Sequence, residues 1–204
     1  MVERLVMASE LWGAANALRS DDPVAFRREL ATGRLLAERG EDEAAVARVR
    51  AALFAEAKLK RREMSDRFHR DRLSLAHDEL AELISASPAL CWAIVHGRAE
   101  DVAAFPISAD LRRRELELLQ RAFESAGAPA EPLDHDTFNA ALDKVFSELQ
   151  VAFGEDAFLI QESPSAAQER RYCEVAAEYT RLISLMPEPG RIFATAEDMV
   201  RGTE

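Results

Sequence analysis

A chain of 204 residues is long enough for one well-buried core, and 48% apolar with 31% charged residues is the balance of a globular protein rather than a disordered one. A net charge of −11 argues against general nucleic-acid binding, which needs a basic face to neutralise phosphate. No apolar run approaches the roughly 18 residues that a membrane-spanning helix requires.

The first predicted helix covers about 3–18, with Leu5, Ala8, Trp12 and Ala15 on one stripe. Glu3 and Glu10 interrupt what would otherwise resemble a secretory leader, so this segment is expected to belong to a mature, cytoplasmic protein. Asp22-Pro23 starts a second helix over about 23–38, with Phe26, Leu30, Gly33 and Ala37 on one face and Gly40 beyond its end.

From Asp42 to Ala86 there is neither Pro nor Gly. Val46, Val49, Leu53, Ala57, Lys60, Met64 and Phe68 form one stripe, and Leu73, Ala76, Leu80 and Leu83 form another. The five-residue step from Phe68 to Leu73 fits no helical neighbour spacing and predicts a break or kink at 69–72. A straight helix over the whole tract would be about 67 Å long at about 1.5 Å per residue, more than a compact domain of this size holds. A long third helix that is kinked or protrudes is the expectation.

Ser87-Pro88 opens a short, almost wholly apolar helix over 88–96, closed by His96-Gly97. Residues 97–108 are read as an irregular connection with a helical turn. Ser108 caps a helix over about 109–126, with Leu111, Leu118, Leu119, Ala122 and Phe123 inward. The Pro-containing linker 127–134 precedes a helix over about 135–153 that buries Phe138, Leu142, Val145, Phe146, Leu149 and Phe153. Ser163-Pro164 starts a helix over about 164–186, ended by Pro187, Pro189 and Gly190, and a weak helix is expected near 196–201. No segment alternates as a strand does. The fold class is therefore all-α: a single helical domain over 1–204 with about seven helices, divisible into sub-lobes 1–86 and 87–204.

Catalytic signatures are missing from the sequence. There is no GxSxG, Walker loop, GxGxxG or HExxH. Glu63, Asp66 and His69 lie one turn apart, but helical dimetal sites need a second such copy, and none exists. No catalytic residue, metal or cofactor is expected. Cys91 and Cys173 sit in separate apolar settings without a CxxC and read as buried reduced thiols.

The strongest asymmetry is residues 58–72, seven Lys/Arg against three Asp/Glu in an acidic chain. It points to a non-catalytic adaptor, regulator or assembly factor. The expected partner is an acidic protein surface, or a second copy meeting it through the third helix, at Arg61, Arg62, Arg67, Arg70 and Arg72; neither nucleic acid nor membrane is expected. Two further readings stay open. A ligand-binding enzyme or sensor would use a pocket near Cys91, Trp92 and His96. A nucleic-acid-associated regulator would use the basic tract.

Residues 121–135 (RAFESAGAPAEPLDH) carry a Glu-Pro-x-Asp-His run at Glu131, Pro132, Asp134 and His135. This run resembles that of the maturation chaperones of molybdenum oxidoreductases, cytoplasmic all-helical acidic proteins of about this length. The resemblance implies a loop associated with client recognition. By residue type alone, Asp134 also reads as the cap of the helix that follows, and the prolines as stiffeners of a linker.

Overall fold

A computed structural model describes residues 23–96, 107–124, 127–158 and 164–201. The predicted helix over 3–18 and the turn within 97–106 lie outside them. The described residues form eight α-helices and no strand: α1 (Pro23–Glu38), α2 (Asp42–Leu59), α3 (Asp66–Ala86), α4 (Pro88–Val95), α5 (Ala109–Glu124), α6 (His135–Phe153), α7 (Ala166–Ser184) and α8 (Pro189–Arg201). The fold is all-α.

α1 and α2 form an antiparallel hairpin. Gly40 takes φ 77° beyond the end of α1, while the Glu41 and Gly40 N–H groups bond back to the Leu36 and Ala37 carbonyls, so the last turn is closed by a left-handed glycine. The helices meet at Gly33, where a Cβ would lie 2.5 Å from Val49 Cγ2. The absent side chain sets how closely they approach.

The tract from 42 to 86 is two helices rather than one kinked or protruding helix. α2 ends at Lys60, a 3-10 turn occupies Arg61–Glu63, and Ser65 restarts the chain by accepting the Phe68 N–H at 3.2 Å. The expected break at 69–72 is instead uninterrupted helix. The residue that fills the apparent gap is His69, only 3% exposed, so the inward ridge runs His69, Leu73, Leu80, Leu83. Its Nε2–H donates to the Arg61 carbonyl at 3.0 Å, and its ring stacks on Phe193 and meets Phe68 edge-on. A neutral imidazole satisfied in this way packs like an apolar side chain.

Burial lowers the pKa of His69 below its ordinary value; the bond to the Arg61 carbonyl and the charge of Asp66 oppose that shift, and the Arg61 charge adds to it. A depressed histidine gives stability that is complete above its unfolded pKa and is lost as pH falls through the folded one. Between about pH 7 and about pH 5, spanning the ordinary histidine range, the unfolding midpoint is expected to fall more steeply for the wild type than for His69→Gln. Parallel denaturant curves for the two proteins at each pH would show the opposite.

α3 and α7 pack along each other through the middle of the molecule and contribute to both groups of buried side chains. One group joins Phe26, Val49, Leu53, Met64, Leu75, Leu83, Cys91, Leu116, Leu119 and Ala177; the other joins Leu73, Phe138, Val145, Leu149, Leu182, Ile183, Met186 and Ile192. α6 belongs to the second through Phe138, Val145 and Leu149; Leu142 and Phe153 are half-buried and Phe146 is exposed.

α8 begins at Pro189, well before the weak helix expected near 196–201. By residue type, Pro189 and Gly190 read only as terminators of the preceding helix. A proline is tolerated in a first helical turn, where no N–H is required of it. The Gly190 N–H donates to Asp66 Oδ1 at 2.8 Å, and a Cβ there would meet Asp66 and His69 at about 3 Å, so α8 starts pressed against the start of α3.

Candidate functional site: a groove beside the Glu131–His135 segment

The five arginines of the basic tract are dispersed by the fold. Arg61 lies 3.3 Å from Glu197 and over the Phe193 ring, and Arg62 pairs with Asp198 at 2.8 Å. Arg70 donates to the Pro187 carbonyl at 2.7 Å. Arg72 pairs with Glu79 at 3.1 Å, while Arg67, whose side chain is 82% exposed, lies 3.9 Å from Asp71. Three of the five therefore turn toward residues 187–198, fastening the 3-10 turn and α3 to the C-terminal corner.

The same corner grips the Glu-Pro-x-Asp-His segment. The Gly127 and Ala130 N–H groups donate to the Glu63 and Arg62 carbonyls, at 2.9 and 2.6 Å. Arg191 donates to the Glu131 carbonyl at 3.0 Å and the Pro132 carbonyl at 3.3 Å, and the Leu133 N–H donates to Thr195 Oγ1 at 2.7 Å. Asp134 caps α6, accepting the Thr137 N–H at 2.9 Å and its hydroxyl at 2.7 Å. The bond from the Thr137 backbone, then that from its hydroxyl, holds the Asp134 carboxyl below the usual carboxylate range. Glu131 and His135 are exposed. The linker is thus a strap tied at both edges, and the capping role expected of Asp134 is its role in the fold.

Beside the strap runs a groove of about 350 Å³. Leu133, Ala141, Val145, Leu182, Met186 and Ile192 form its apolar lining, and Thr137, Lys144, Glu148 and Glu188 bring polar groups of both signs. Leu185 stands over it with 68% of its surface in solvent. α6 is one wall and the α7–α8 corner is the other. What it offers chemically is apolar surface to a ligand or a side chain from a partner.

The residues of the other proposed pocket engage partners within the fold. Cys91 and Cys173, expected to be reduced thiols, form a disulfide between α4 and α7, their Cα atoms 6.1 Å apart. Residues 82 positions apart are brought together only by the packing of α4 on α7, so spacing gave no hint of the bond. The Trp92 and His96 rings lie tilted against each other with centroids 4.8 Å apart, His96 meets Tyr172 edge-on, and His96 Nδ1–H donates to the Trp92 carbonyl at 2.9 Å. His96 acts as the helix end.

A buried ionic cluster sits between α2, α3 and α5. Arg50 contacts Glu115 at 2.8 Å through Nε and 2.6 Å through Nη2, with Arg72 and Glu79 nearby. Burial raises the Glu115 pKa, and the Arg50 charge pulls it back down. Among the described residues no group of three His, Cys, Asp or Glu side chains is placed to hold a metal ion, and no described helix is long and apolar enough to cross a membrane. No protein-family model, no curated protein and no solved structure matches the chain.

The groove was missed in the sequence because its lining comes from positions far apart in the chain. Leu185, a large apolar residue near the end of the helix predicted over 164–186, is a local signal of it.

Proposed function

We propose that this chain is a non-catalytic protein-binding module, an adaptor, regulator or assembly factor, and that it receives an apolar segment of its partner in the groove between α6 and the α7–α8 corner. The observation that carries this reading is the apolar lining of an open groove with Leu185 standing exposed above it. A large aliphatic side chain in that position gains its burial only from something that docks there. The basic-tract reading has weaker support, since Arg61, Arg62 and Arg72 have acidic partners within the fold and Arg70 a backbone carbonyl.

A more specific form is a maturation chaperone. It is favoured by Leu133, which belongs to the Glu131–His135 run and also lines the groove. A client-recognition segment and a docking groove would then be one surface. The proposed location is the cytoplasm, where a disulfide is ordinarily a reversible bond rather than a permanent one.

The test uses the tagged full-length protein, captured with its partner from the native host at two salt concentrations. Leu185→Lys leaves the core untouched and is expected to reduce recovery of the partner at least about tenfold, the scale of a hot-spot loss. Arg67→Glu is expected to leave recovery within about twofold, since the Arg67 side chain is 82% exposed and does not line the groove. Loss in the arginine variant with full binding by Leu185→Lys would return the site to the basic tract. Steep salt sensitivity that a nuclease abolishes would favour the nucleic-acid reading.

A further inference from the structure

The face that α6 turns toward the groove carries Thr137, Ala141, Lys144 and Glu148, whose spacing puts them on one stripe along the helix. Val151 continues that stripe one turn further on, with 89% of its surface in solvent. Lys144 and Glu148 are exposed, and neither is ion-paired among the described residues. Arg181, within electrostatic reach of Glu148, is itself bonded to Glu178 through two nitrogens. Taken along the chain, Ala141, Lys144, Glu148 and Val151 run small, basic, acidic, aliphatic. Turned end over end, the same stripe runs aliphatic, acidic, basic, small. A second copy laid antiparallel, with the two-fold axis between Lys144 and Glu148, therefore sets each of the four against its complement. Lys144 meets Glu148 of the second copy, Ala141 meets its Val151, and both pairs recur across the axis. A surface that closes a two-fold dimer has to be self-complementary in this way. The short Ala141 side chain lets the two helices approach, and Val151 gains the cover that its own fold does not give it.

We propose that, when its protein partner is absent, a second copy of this chain covers the groove by laying its α6 antiparallel along this one, in the register that Lys144 and Glu148 set. The proposal rests on the reading of the groove as a protein-binding surface and adds its regulation. The second copy and the partner exclude each other, because the arriving helix lies against the side of α6 that forms the groove wall and beneath the exposed Leu185. Apolar contact gives the dimer its area, and the paired charges give it its register.

Sedimentation velocity of the purified full-length protein tests this over about 1–100 μM, the range in which a micromolar dimer dissociates. The wild type is expected to pass from monomer to dimer as concentration rises. Lys144→Glu and Glu148→Lys each set like charges face to face on both sides of the axis, and each is expected to weaken dimerisation at least about tenfold. The two together restore opposite charges in the same register, and dimerisation is expected to return to within about threefold of wild type. Both side chains are exposed, and thermal unfolding of each variant reads its folding separately. A protein that stays monomeric at every concentration would overturn the proposal. So would single reversals that leave dimerisation unchanged, or an exchange of the two charges that does not restore it. The partner-binding reading is judged apart, since recovery of the partner by Leu185→Lys needs no second copy: a monomeric wild type whose partner is lost in that variant sinks the dimer alone.

Discussion

Replacing Glu115 by alanine is expected to destabilise the fold by about 3–5 kcal/mol, the cost of leaving one member of a buried ion pair without its partner. Arg50 and Glu115 have side chains only 7% and 3% exposed, and their contacts of 2.6 and 2.8 Å join α2 to α5. With the carboxylate gone, the largely buried guanidinium loses its contacts to Glu115. The pair itself is a different matter, because the desolvation of two charges offsets most of their attraction. The double replacement Arg50→Met with Glu115→Leu is therefore expected to be markedly more stable than Glu115→Ala. Urea unfolding of the three proteins checks both statements. A Glu115→Ala protein within about 1 kcal/mol of wild type, the scale of an exposed pair, would mean that this pair is solvated in solution.

Leu149→Ala carries the second large effect, a loss of about 2–5 kcal/mol from the missing contacts and the cavity left behind. Leu149 is 1% exposed, and of the residues in α6 only Phe138 and Val145 are buried with it. α6 is thus attached by one narrow ridge, and it forms a whole wall of the groove. Besides the fall in stability, the variant is expected to bind its partner more weakly, whereas Leu149→Met, of similar volume, preserves both. Thermal unfolding with partner capture reads the two effects together. Full stability in Leu149→Ala would contradict the placement of α6.

The local signals in the sequence did what local signals can do. Ser87, Ser108 and Asp134 cap where their residue types indicate, and Gly40 and Gly154 lie just past their helices with positive φ. The start of α7 is displaced by one cap: Ser165 with Gln168 forms a capping box, whereas Ser163-Pro164 predicts an earlier start. The break between α2 and α3 lies earlier than apolar periodicity alone places it. Ser65 before Asp66 is a legible N-terminal signal, and His69 is a core residue that apolar periodicity passes over. What could not be read locally is the long-range pairing. Arg62 meets Asp198 136 positions away, and Arg70 meets the Pro187 carbonyl 117 positions away. Much of the run of arginines fastens one end of the fold to its middle. The groove and the disulfide are hidden for the same reason, being properties of helix packing and not of spacing.

The most direct test of the groove as the binding site is site-specific photo-crosslinking in the native host, with the probe placed at Leu185 in one protein and at Arg67 in another. The account predicts that one protein partner is captured from position 185 and not from position 67, the crosslink mapping to an apolar segment of that partner. Capture from 67 and not from 185 would contradict it.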